Sequence, residues 1–444
     1  MKGLLVNPRM SKGWRPYIIP SIGLCSLKAA CKNVAEVKVL DASGMKLEDV
    51  KVEIKKYSPT FVGATSFTEA RHNALDVLRV AKSLSSSIVT LLGGVHATHA
   101  YKQILENYPF VDIIFLGEGE VNLPGYFGTS QIGGIAYRGH GKLEVRERTF
   151  IKDLDDLPFP DYSDLDLRRY IDVGGPMRGK PIVAVETSRG CPYNCTFCSS
   201  RSVWGNVRFK SVGRILKELE YLVEKYNYKM VSFVDDIFAV NKNRTKELCK
   251  GMENFGLVWQ CQTRTDSIDI ETLQAMKSAG CYLIAFGVES GAPSILENIN
   301  KRESREDIKN AFKLCKEVGV EAVFNVIVGC PGETKGTLEE TRQLIRECRP
   351  TGIGTAALRA YPGSQVWALG LQEGLFTEDV LLTDKESIHY EGALSLKQMY
   401  RELIKFRFLQ AQLRGIRGWV ELLGISLRTL ISTPGKVVKG VLQR

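Results

Sequence analysis

This 444-residue chain has no run of about 18 uninterrupted apolar residues, so no membrane-spanning helix is expected. Its start, Met1 to Val6, lacks the charged, then apolar, then small-residue order of a secretory leader and reads as a strand. No GxGxxG turn follows that strand, which argues against a dinucleotide site. No short repeat, low-complexity tract or RNA-binding module is visible, so no nucleic-acid partner is expected. Eleven cysteines in a chain without an export signal point to reduced thiols in the cytoplasm, some of them metal-bound.

What is present is ordinary in bulk and uneven in place. Apolar residues make up 44% and charged residues 25%, as in a soluble globular protein. The net charge of +10 is concentrated at one end. From Leu396 to Arg444 ten basic residues stand against two acids, Glu402 and Glu421. A field that local concerns the partner of the tail, not the fold.

Residues 1 to about 140 alternate apolar strands (Lys2–Asn7, Val37–Asp41, Phe61–Thr65, Ile88–Gly93, Asp112–Leu116) with helical patterns. This rhythm predicts an α/β domain with a doubly wound parallel sheet over 1–150. A Pro- and Asp-rich linker follows over 151–180. Six further strands separated by helices predict a partial six-stranded (β/α) barrel over 181–365, with an open sheet of the same order as the alternative. Residues 366–444 read as a basic helical region. Ser395–Gln412 is its first predicted helix and Gly418–Ile431 its second apolar stretch.

The most informative segment is Glu186-Thr-Ser-Arg-Gly-Cys191-Pro-Tyr-Asn-Cys195-Thr-Phe-Cys198. It follows the first barrel strand, where barrel enzymes carry their chemistry. Spacings of four and three let one loop bring three thiolates to an iron–sulfur cube, leaving one iron open. A structural zinc site is the alternative, although zinc prefers two paired ligand hooks.

At these residues the chain resembles the radical SAM superfamily, with Phe197 as the aromatic residue before the third cysteine. The resemblance implies a 4Fe–4S cluster on Cys191, Cys195 and Cys198 that binds S-adenosylmethionine (SAM) and cleaves it reductively. It also implies SAM contacts from Phe197, Asp235, Glu289 and Gly329, which stand in that loop or end barrel strands. Helix capping is the bland reading of the Asp235-Asp236 pair, a surface acid that of Glu289, and a simple turn that of Gly329.

The first domain resembles the cobalamin-binding domain found ahead of many radical SAM barrels. The matching positions are Ser21 and Gly23, Asp41, Ser66 and Thr68, Gly93, Gly94 and His96, and Gly117 and Glu118. Gly and Ser there leave room for a flat corrin. None of the five histidines stands in an Asp-x-His-x-x-Gly motif, so no lower histidine ligand through that motif is expected.

The joint resemblance implies a cobalamin-dependent radical SAM enzyme that methylates an unactivated carbon. The alternatives are cyclisation or carbon–carbon bond formation, as in tetrapyrrole ring-forming relatives, and a cobalamin- or cluster-binding sensor without turnover. The implied partners are a small-molecule or lipid-like substrate and an electron donor such as a flavodoxin or ferredoxin. The basic amphipathic tail predicts peripheral membrane contact of a cytoplasmic protein, with packing on the barrel as the alternative.

Overall fold

The computed structural model describes residues 1–10, 19–128, 132–171, 179–385, 387–415 and 418. The first sheet contains β1 (Lys2–Asn7), β2 (Glu36–Asp41), β3 (Phe61–Thr65), β4 (Val89–Gly93), β5 (Ile113–Phe115), β6 (Ile135–Gly139) and β7 (Lys142–Arg146). Its spatial order is β2-β1-β3-β4-β5-β6-β7. The first five strands are parallel. Their buried, Val-, Leu- and Ile-rich sequences are those of strands covered on both faces by helices. In such an order, ligands sit beyond the carboxyl ends of β1 and β3, where the winding direction reverses.

The expected doubly wound parallel sheet is present and carries one addition. Strands β6 and β7 form an antiparallel hairpin that extends the β5 edge. The turn joins Gly139 to Lys142 through His140 at φ 47° and Gly141 at φ 77°. Two left-handed residues in a two-residue loop match the right-handed twist of the strands. Asn-Gly is the usual signal for that turn; His-Gly hides it.

The second sheet is parallel and six-stranded: β8 (Ile182–Val185), β11 (Met230–Phe233), β12 (Val258–Thr263), β13 (Cys281–Glu289), β14 (Glu321–Val328) and β15 (Gly352–Ala357). They lie side by side in chain order, and among the described residues β8 and β15 are the open edges, so the barrel is partial. A short antiparallel ribbon, β9 (Ser188–Arg189) with β10 (Arg208–Phe209), stands just after β8. Helix Val212–Tyr226 shows how the sequence builds this layer. Ser211 caps it by accepting from the Arg214 N–H at 3.1 Å, Ile215, Leu219 and Leu222 turn inward, and Asn227 ends it at φ 53°. Trp259, fully buried in the core, donates its indole N–H to the Ala279 carbonyl at 2.7 Å.

The chain beyond the barrel returns to the first sheet. Leu358, Ala360, Val366, Trp367, Val380, Leu381, Ile388 and Tyr390 join the core of that sheet. The buried Arg71 guanidinium donates to the carbonyls of Leu381 (3.0 Å) and Thr383 (2.9 Å). Helix Leu396–Leu413 lies against β15, burying Met399, Phe406 and Leu409, while Tyr400 and Ile404 stay exposed. Its Glu402 is buried and pairs with Arg342 at 2.9 Å. Except for Gly418, the predicted second stretch Gly418–Ile431 lies outside the described residues, as do Gly174, Gly175 and Pro176 of the linker. Among the described residues no helix is long and apolar enough to cross a membrane.

Candidate active site

After β8 the chain passes through the ribbon strand β9 to Gly190, whose φ is 89°. A Cβ there would lie 3.0 Å from the Asn206 carbonyl oxygen, so glycine is demanded on two counts. The loop Cys191–Cys198 follows. Its backbone is anchored by the Thr196 N–H donating to the Ile299 carbonyl (3.0 Å) and the Val366 N–H donating to the Thr196 carbonyl (2.9 Å). The Asn300 amide donates to the Asn194 carbonyl at 2.8 Å. These three cysteines reach the surface to some degree, whereas seven of the remaining eight are buried. Burial pushes the Cys191 and Cys195 thiols above their ordinary range; the Lys301 and Arg264 charges act against that shift at Cys195. Among the described residues no group of three His, Cys, Asp or Glu side chains is placed to hold a metal ion. A cube of four irons takes its thiolates further apart than a single ion does.

Beside this loop lies a buried ionic row. Lys301 stands 3.6 Å from Glu289 and 3.4 Å from Glu303. Glu303 also accepts from the Thr265 N–H and hydroxyl, both at 2.7 Å. Arg264 pairs with Asp266 at 2.7 Å and lies 3.8 Å from the Tyr193 ring centre. Glu289 ends β13 with φ 72°, a left-handed conformation unusual outside glycine, and burial pushes its carboxyl up.

The other residues expected to contact SAM are placed as follows. Asp235 is buried and faces back toward β8. It accepts from the Thr187 hydroxyl (2.7 Å), the Thr187 N–H (3.2 Å) and the Ser188 hydroxyl. Its neighbour Asp236 accepts from Ser200, two residues past Cys198. Gly329, at φ 100°, donates its N–H to Glu333, and a Cβ there would stand 2.6 Å from Met399. Phe197 packs with Ile327 against the cluster formed by Ala292, Ile295, Ile299 and Cys330.

Between the two sheets lies a mostly apolar cavity of about 470 Å³. Its floor is the carboxyl ends of the first sheet: Asn7, Gly63–Thr65, Leu91–Gly94 and Gly117–Glu120. Ser21 and Gly23 flank it, and its ceiling is Ala184, Glu186, Arg189, Trp204 and Val234 from the barrel. Six of the ten expected corrin contacts line it: Ser21, Gly23, Gly93, Gly94, Gly117 and Glu118. Asp41, Ser66, Thr68 and His96 do not. Asp41 accepts from Tyr170, Asn7 and Ser43. His96 is buried against Thr68, its Nδ1 being 3.2 Å from the hydroxyl, and burial lowers its pKa to about 3, so it is neutral.

One residue ties the cavity to the cysteine loop. Arg189 pairs with Glu118, Glu120 and Glu186, each at 2.7 Å, and all three partners line the cavity. Arg208 reaches Glu118 at 2.8 Å, and the Ile151 N–H donates to the same carboxylate at 2.8 Å.

The comparisons with known proteins follow this division. The radical SAM superfamily model matches residues 185–345, and the B12 binding domain model matches residues 13–126. The uncharacterized methyltransferase PH0819 of Pyrococcus horikoshii is 31% identical over 391 residues, covering 84% of each chain. The chain belongs to the radical SAM proteins that carry a B12-binding domain. An anaerobic magnesium-protoporphyrin IX monomethyl ester cyclase of Rubrivivax gelatinosus is 31% identical over 392 residues, covering 83% of this chain and 69% of the cyclase. The radical SAM methyltransferase TsrM of Kitasatospora setae, solved with cobalamin and a 4Fe–4S cluster bound, matches with a TM-score of 0.67 at 18% identity. That match covers 82% of this chain and 73% of TsrM, and it is a likeness of fold.

The residues of this radical SAM protein suit the groups its family implies. Three free thiols on one loop are a soft donor set for iron. The cavity volume falls in the range of cofactor sites, and glycine is required in its wall: a Cβ on Gly94 would meet the Ser66 backbone at 2.8 Å. The buried Ser66 hydroxyl, between cavity-lining Thr65 and Phe67, has no hydrogen-bond partner among the described residues.

Several site residues escaped the sequence reading. Arg189 stands beside the glycine that opens the cysteine loop and was legible as a flanking charge. Lys301 and Glu303 left no such trace. They become neighbours of Glu289 only when the segment after helix Pro293–Asn298 folds back on β13.

Proposed function

We propose that this radical SAM protein is a cobalamin-dependent C-methyltransferase acting on an unactivated carbon of a small molecule. The single observation that carries this reading is the cavity bounded below by the glycine-rich strand ends and above by the ribbon that launches the cysteine loop. Its barrel side includes Arg189, two residues before Cys191.

With a 4Fe–4S cluster, SAM and cobalamin bound, the chemistry supplied is reductive cleavage of SAM, hydrogen abstraction from carbon, and methyl delivery. The chain does the rest. Cys191, Cys195 and Cys198 are the thiolate ligands. Phe197, Asp235, Glu289 and Gly329 frame the SAM side, Asp235 by holding the turn after β8. Ser21, Gly23, Gly93, Gly94, Gly117 and Glu118 line the corrin side, and Asp41, Ser66, Thr68 and His96 support it from behind. We take residues 1–150 as the cobalamin domain, 151–180 as the linker, 181–365 as the radical SAM core and 366–444 as the C-terminal region. A flavodoxin or ferredoxin supplies the electron. The basic tail brings the enzyme to a membrane surface, which favours a lipid-like substrate.

Anaerobic reconstitution tests the reading. Iron and sulfide must bind, a corrin band must appear, and reduced protein must release 5′-deoxyadenosine from SAM. Absence of iron sinks it outright. The 31% identity to the cyclase favours a second reading, ring closure without methylation. Label from methyl-labelled SAM in the product separates the two.

A further inference from the structure

We propose that Arg189 is a positioning residue that couples the cavity to the cysteine loop, so that a corrin seated in one stiffens the other. The inference rests on the functional reading above and deepens it. Arg189 stands two residues before Cys191, on ribbon strand β9. Directly opposite it on β10 stands Arg208. Two like charges facing each other across a ribbon repel. Here both guanidinium groups share one carboxylate, Glu118, which comes from the first domain.

Arg189 adds Glu120 from the same turn and Glu186 from the turn between β8 and β9. The side chains of Arg189, Glu118 and Glu120 are 6%, 1% and 7% exposed, so solvent scarcely screens them. The turn 117–120 that lines the cavity is therefore also the counter-ion clamp of the ribbon. Whatever holds that turn in place holds the start of the cysteine loop.

The test uses the full chain, reconstituted anaerobically with iron and sulfide. Hydrogen exchange of the peptide spanning residues 188–200 is measured by mass spectrometry with and without hydroxocobalamin. In the unmodified protein, hydroxocobalamin slows exchange there roughly five-fold or more, the lower end of ordinary coupling between sites. In Arg189→Gln and Glu120→Gln, each brought to saturation with hydroxocobalamin as read from its own absorption titration, that effect falls below about two-fold. Arg189→Lys, which keeps a charge, recovers part of it. By reciprocity, cluster loading and hydroxocobalamin tighten each other's binding by one common factor in the unmodified protein, a factor that falls toward one in Arg189→Gln and Glu120→Gln.

A merely structural arginine lowers the thermal midpoint and leaves the coupling ratio intact; that result overturns the proposal. So does corrin binding that leaves exchange in the unmodified loop unchanged. If Arg189→Gln does not fold, Glu120→Gln decides, because it removes one carboxylate charge and keeps a hydrogen-bond acceptor. Failure of the unmodified protein to bind corrin or iron at all tells instead against the functional reading itself.

Discussion

Tyr170 donates its hydroxyl to the Asp41 carboxylate at 2.6 Å, joining the segment before the barrel to the end of the second strand of the first sheet. Both residues are buried, and Asn7 and the Ser43 N–H supply the other hydrogen bonds of that carboxylate. The hydroxyl stays protonated, because burial and the adjacent carboxylate push its pKa far up.

Tyr170→Phe therefore removes a charge-assisted bond from a buried acceptor and costs about 1.5–3 kcal/mol of stability. Corrin affinity is expected to change little, since Asp41 does not line the cavity. Urea titration and a corrin-binding titration read the two effects. A large loss of affinity at unchanged stability would place Asp41 in direct contact with the cofactor.

Alanine at Cys191, Cys195 or Cys198 should abolish 5′-deoxyadenosine formation and leave reconstituted protein without a full cluster, with secondary structure intact by circular dichroism. Alanine at Cys330, buried in its own small apolar cluster, should retain iron and cleavage. Retention of full turnover by any of the first three variants removes the iron–sulfur assignment.

Gly329→Ala meets two obstacles: a backbone at φ 100° and the Met399 side chain 2.6 Å from the new methyl group. Left-handed strain costs an ordinary residue about 1–2 kcal/mol. The flexible thioether can yield, so a total loss of roughly 1–3 kcal/mol is expected from strain and repacking. SAM affinity should weaken as well. A variant as stable as the parent would show that this turn relaxes freely.

Glu333 sets a pH dependence. Burial raises its carboxyl from 4.5 to about 7, against the opposing pull of the Gly329 and Cys330 N–H groups. Between those values the folded chain keeps a proton that the unfolded chain has lost. Its contribution to stability is thus fully present at low pH, declines as pH rises from 4.5 to 7, and is absent above. The loss amounts to about 3 kcal/mol. Glu333→Gln should flatten that part of the stability profile, raising stability at pH 8 relative to pH 5. Parallel urea profiles for the two proteins across this range would contradict the assignment.

The parts legible in the sequence are those coded locally. Alternating apolar strands and amphipathic helices announced the two parallel layers, and the boundaries of strands such as Lys2–Asn7 and Val258–Thr263 coincide with the observed ones. The cysteine spacing and the glycines at strand ends are also local, because a ligand loop and a tight turn are each built from neighbours in the chain. The hairpin Ile135–Arg146 was missed, since its turn relies on a histidine at positive φ that composition does not flag.

What lay beyond the sequence is set by contacts between distant residues. That Asp235 turns back toward Thr187 and that Lys301 sits between Glu289 and Glu303 depend on which buried charge finds which partner, and the return of the chain after the barrel to the first sheet depends on apolar packing between distant residues. From the sequence alone came the kinds of group this protein can hold, because donor type and spacing are properties of short segments. Only the tertiary structure decided how the two halves meet, because a buried carboxylate such as Glu118 must be neutralised by whichever guanidinium the fold brings beside it.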